Sequence, residues 1–80
     1  MLMKSKRANS LRYAVVIEKA NRNFSAYVPD LPGCVATGRT QPLVRKRITE
    51  AIELHLQGMK EDGQAIPKPS ATAEYVETAA

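Results

Sequence analysis

The sequence predicts an α+β domain: a three-stranded antiparallel meander, one long helix and a fourth strand at a sheet edge, in the order β-β-β-α-β. Three observations carry this. Apolar residues alternate with period two up to about Gly38, Pro32-Gly33 punctuates that stretch, and the period changes to 3.6 after Thr40. Eighty residues make a single domain, assigned here to residues 12–78, with residues 1–11 read as a flexible basic tail.

The first strand is "RYAVVIE", Arg12 to Glu18, β-branched and aromatic, with Tyr13, Val15 and Ile17 on one face and Ala14, Val16 and Glu18 on the other. After the polar turn "KANRN", "FSAYV" alternates Phe24, Ala26 and Val28 against Ser25 and Tyr27, completing a hairpin. Pro29 ends that strand because it lacks a ladder donor. Leu31-Pro32-Gly33-Cys34 then has the residues of a type II turn: proline fixes φ at the second position and glycine accepts positive φ at the third. The third strand follows in "CVATG". Pro29, Asp30, Pro32, Gly33 and Cys34 are accordingly read as a structural turn.

The helix stripe consists of Val44, Ile48, Ala51, Ile52, His55, Leu56 and Met59, about five turns. Pro42 suits the first helical position and biases Gln41 away from helical angles, which makes Thr40 or Gln41 the cap. Gly63 is the left-handed terminator. "QAIPKPS" is a proline-stiffened connection, and "TAEYVE", Thr72 to Glu77, is the fourth strand. The stripe must cover one face of the sheet, and the alternation does not choose which.

Charge and composition bound the function. The net charge of +4 comes from the first twelve residues, where Lys4, Lys6, Arg7 and Arg12 stand without an acid; the rest of the chain is balanced. On the helix, Arg45, Lys46 and Arg47 crowd the first turns, against the preference set by the helix dipole. These seven bases are the candidate nucleic-acid contacts. With no aromatic residue in the tail to stack on bases, any such binding is expected to be weak, non-specific and salt-sensitive.

Catalysis finds little support in the residues. Cys34 is the chain's one cysteine and His55 its one histidine, too few for a Cys/His metal site, and nothing in the pattern brings them together. No phosphate-binding glycine loop, metalloprotease or nucleophile-elbow motif occurs. No cofactor, metal or catalytic residue is assigned, and the chain is read as a non-enzyme. A signal peptide and a membrane span are not expected, and an unpaired cysteine suits a reducing compartment, so the location is read as cytoplasmic. A core this small wants further support, which points to a homo-oligomer, a dimer or higher.

Together, "YAVVIEK", "FSAYVPDLPGCVATGRT", "EAIELHLQGMKEDG" and "IPKPS" resemble the HicB-like antitoxins of toxin–antitoxin pairs, over about Arg12 to Val76. The resemblance, to the short stand-alone form without a DNA-binding segment, implies a partial, degraded RNase H-like fold. It also implies steric inhibition of a small RNA-cleaving HicA-type toxin as the function. The alternative, from the residues themselves, is a small oligomeric nucleic-acid-binding module using the basic tail and helix start.

Overall fold

The computed structural model describes residues 11–79. The tail bases Lys4, Lys6 and Arg7, and with them nearly all of the 1–11 segment, lie outside the described residues. Three strands, β1 (Val16–Lys19), β2 (Phe24–Tyr27) and β3 (Val35–Gly38), precede one helix, α1 (Gln41–Glu61). The sheet is an antiparallel meander in the order β1-β2-β3, so the predicted α+β arrangement stands.

The register sorts the side chains. Ile17, Ala26 and Ala36 lie side by side across the three strands, as do Val16, Tyr27 and Val35 in the neighbouring row. Successive residues of a strand point to opposite faces, so these rows belong to opposite sides of the sheet. The Ile17 row, with Tyr13, Val15 and Phe24, packs on the core under the helix. Ala26, Val28, Leu31, Cys34, Val44 and Ile48 are its buried centre. From α1 come Val44 and Ile48, with Ala51, Ile52 and Leu56 beside them, five of the seven residues of the predicted stripe; His55 and Met59 are half-buried.

Both ends of α1 are capped as the residues require. Thr40 is the N-cap in extended conformation, and its Oγ1 accepts from the Leu43 amide at 3.2 Å. Pro42 falls in the first turn, where its missing donor costs nothing. Gly63 takes φ +73°; its amide donates to Lys60 O at 3.1 Å while the Gln64 amide donates to Met59 O at 2.8 Å. That pair of bonds is a Schellman motif. Where β3 hands over to the helix the two backbones nearly touch: a Cβ at Gly38 would sit 2.9 Å from the Val44 nitrogen.

Two expectations need correction. The first strand is shorter at its start and one residue longer at its end than Arg12 to Glu18, because β2 stops at Tyr27 and the chain turns at Val28–Leu31, leaving residues 12–15 no ladder to join. The fourth strand, Thr72 to Glu77, is not formed: residues 64–79 carry no strand. Pro67 and Pro69 offer no donors, and the Asp30 carboxylate captures Ser70 and Ala71. The segment is thereby led across the end of the sheet instead of along its edge.

Candidate interaction surfaces

The stretch Val28 to Cys34 is two turns in succession. The Leu31 amide donates to Val28 O at 3.0 Å, with Pro29 and Asp30 at the corner. The Cys34 amide donates to Leu31 O at 3.0 Å, with Pro32 and Gly33 at the corner and Gly33 at φ +87°. The second is the predicted turn with its glycine in the left-handed region. Between them Leu31, 1% exposed, plugs the core, a role the turn chemistry around it hides.

Asp30 does more than turn the chain. Its carboxylate accepts from the Ser70 amide at 2.8 Å, the Ser70 hydroxyl at 2.8 Å and the Ala71 amide at 3.0 Å. Those bonds favour the charged form and hold the carboxyl below the usual aspartate range, the Ala71 amide contributing most. Nearby, the Tyr13 hydroxyl donates to Pro67 O. Desolvation, with a smaller push from the Asp30 charge, raises the Tyr13 phenol above its ordinary value. Nothing local in the sequence signals this clasp, since its halves are forty residues apart.

Cys34 is a buried free thiol, and desolvation raises its pKa, which favours the protonated form over the nucleophilic thiolate. No hydrogen bond joins it to the half-buried His55 among the described residues. Likewise, among those residues no group of three His, Cys, Asp or Glu side chains is placed to hold a metal ion, and no helix is long and apolar enough to cross a membrane.

Of the candidate nucleic-acid contacts, the four among the described residues, Arg12, Arg45, Lys46 and Arg47, are not gathered into one patch. Arg45, Lys46 and Arg47 stand on the first turns of α1, next to the Gly38 end of the sheet. Arg12 precedes Tyr13, whose phenol feels the Asp30 charge, so it lies at the other end. Arg47 is also engaged: its Nη1 donates to Thr37 O at 3.0 Å, covering a carbonyl on the outer edge of β3. Arg45 and Lys46 are exposed.

The sheet face away from the helix is the more distinctive surface. Val16, Tyr27 and Val35 run across it in one row, with Tyr27 42% and Val35 63% exposed. Glu18, Ser25 and Thr37 form the adjoining polar row. Tyr27, an aromatic of the kind enriched at protein interfaces, stands on the central strand of this face with the polar row beside it. On the helix side, a groove of about 510 Å³ runs between Leu11, Tyr13, Ile52, Leu56 and Ile66, with Glu53 and Lys60 at its rim.

Known proteins resemble this chain, one in structure and others in sequence. The solved HicA3 and HicB3 toxin–antitoxin complex contains a chain that matches with a TM-score of 0.64 and 30% identity, over 75% of this chain and 70% of that one. An uncharacterised 14.9 kDa protein from the rep–hol intergenic region of Haemophilus phage HP1 is 38% identical over 64 residues, 80% of this chain and 48% of the phage protein. A UPF0150 protein of Helicobacter pylori is 43% identical over 47 residues, 59% of this chain and 65% of its own length. One from Archaeoglobus fulgidus is 39% identical over 59 residues, 70% of this chain and 86% of its own length. The chain thus spans about half of the phage relative. The family described as the HicB-like antitoxin of bacterial toxin–antitoxin systems matches residues 13–80, and with that extent of agreement in sequence and fold the chain belongs to the HicB-like antitoxin family.

Proposed function

We propose that the chain is a non-catalytic binding protein of the cytoplasm that inhibits a small RNA-cleaving toxin of the HicA type by covering it. The observation that carries this reading is the likeness to a chain of the HicA3 and HicB3 complex, in sequence as well as fold. Inhibition is steric. A rigid sheet backed by a capped helix presents the Val16, Tyr27 and Val35 row, Tyr27 is the aromatic anchor, and no side chain has to act as acid, base or ligand. Among the described residues, the separation of Arg12 from Arg45, Lys46 and Arg47 favours a protein partner over nucleic acid, which is bound along a continuous basic track.

The test mixes the chain with the toxin and follows RNA cleavage. Tyr27→Ala and Val35→Asp, both at exposed positions, should leave thermal unfolding nearly unchanged. Each should weaken inhibition by about 30-fold, the size of a hot-spot loss of about 2 kcal/mol. Cys34→Ala and His55→Gln proteins that still fold should inhibit normally. Undiminished inhibition by both sheet-face variants, or its loss in a folded Cys34→Ala protein, overturns the reading.

A further inference from the structure

The clasp at Asp30 leaves a strand-like arm with nothing to pair with. Up to Ala71 the chain is tied down, by the Tyr13 hydroxyl on Pro67 O and by the Asp30 carboxylate on Ser70 and Ala71. Beyond it, residues 72–79 are all exposed. Tyr75 is fully exposed and Val76 78% exposed. Their backbone makes no hydrogen bond among the described residues. Yet Thr72, Glu74 and Val76 alternate with Ala73, Tyr75 and Glu77, a strand pattern with an aromatic and a β-branched residue at its centre.

The sheet has a matching vacancy. Of its two edges, β3 is partly closed because Arg47 occupies the Thr37 carbonyl. Among the described residues nothing pairs with the outer edge of β1 along Val16–Lys19, and an exposed edge is a template for another strand. Charge selects the occupant. Around β1, from Arg12 to Arg22, three bases stand against one acid, whereas residues 72–79 carry Glu74 and Glu77 and no base. Reach is sufficient as well: eight extended residues cover about 26 Å and the four residues of β1 need about 13 Å.

We infer that residues 72–79 of one chain add as a fourth strand to the β1 edge of a second copy, and that the exchange is reciprocal. Main-chain hydrogen bonds supply the affinity, as in other strand additions, and the acidic arm on the basic edge supplies the specificity. A two-fold axis lets each copy donate one arm and accept one, which closes both open edges without a chain of further copies. The clasp fixes the arm's root at the end of the sheet where β2 turns into β3, and the arm beyond it is exposed along its length. This inference stands apart from toxin binding, which uses the sheet face and not its edge.

Sedimentation velocity on the full chain, with amide hydrogen exchange on β1, tests it. The chain should dimerise, and the outward amides of Val16–Lys19 should be protected at high concentration and lose protection on dilution. Tyr75→Pro removes a ladder donor and should weaken self-association at least tenfold. Doubly substituted Glu74→Lys, Glu77→Lys protein should weaken it too, most at low salt. Tyr75, Glu74 and Glu77 are outside the core, and far-UV circular dichroism should show α1 intact in every variant. A chain that stays monomeric at hundreds of micromolar, a dimer indifferent to Tyr75→Pro, or β1 protection that survives dilution unchanged would each overturn the inference.

Discussion

Asp30 and Ser70 meet across forty residues of sequence: the Ser70 amide and hydroxyl each donate to the Asp30 carboxylate at 2.8 Å. Together with the Ala71 amide they turn a loop aspartate into the anchor of the segment after the helix. The bonds stabilise the charged carboxylate, so its pKa in the folded chain lies below the unfolded value. The clasp's contribution is therefore complete above the unfolded pKa and is lost as pH falls through the lower folded one. An NMR titration of the Ser70 amide should give a midpoint below the ordinary aspartate range, and Asp30→Asn should abolish it. A midpoint at or above that range would show that the clasp does not hold in solution.

Gly38 and Gly58 should respond oppositely to alanine. At Gly38 a new Cβ meets the Val44 nitrogen at 2.9 Å and its Cα at 3.2 Å, both backbone atoms, so the start of α1 has to move. A loss of about 1–3 kcal/mol is expected, the usual cost of overpacking. Gly58 lies inside α1 with nothing within 4 Å of a new Cβ. There the gain in helix propensity should stabilise by about 0.5–1 kcal/mol. Urea unfolding of both variants checks the pair.

Leu31 should behave as core despite its position in a loop. It is among the largest fully buried side chains, and Leu31→Ala should cost about 2–5 kcal/mol. Leu54→Ala on α1, where the side chain is 69% exposed, should change stability by less than about 0.5 kcal/mol. Equal effects in thermal unfolding would contradict the burial assigned to the turn.

Cys34 should be slow to react. Its thiol is buried and its pKa raised by desolvation, so labelling by an aromatic disulfide at neutral pH should proceed far more slowly in the folded chain than in urea. Cys34→Ala should cost about 1–2 kcal/mol, within the range for a small cavity. Rapid labelling of the native protein would mean that the β2–β3 turn opens readily.

Local chemistry made much of this chain legible. The strands, the Pro32-Gly33 turn, the Thr40 cap and the Gly63 stop all follow from residues within a few positions of one another, where φ restrictions, missing donors and hydrophobic period act directly. The resemblance carried by "PDLPGCVATG" and "EAIELHL" was legible for the same reason, being made of contiguous motifs.

What the tertiary structure alone decided is whatever depends on two distant segments meeting. Alternation is symmetric between the faces of a strand, so only packing of α1 chose the Ile17, Ala26 and Ala36 row for the core and left Val16, Tyr27 and Val35 outside. Leu31 looked like part of a turn until the core closed over it. Propensity alone made Thr72 to Glu77 a strand; a strand, however, needs a neighbouring ladder. The Asp30 clasp carries the chain past the sheet end instead, because three hydrogen bonds to one carboxylate outweigh a local preference that no partner rewards.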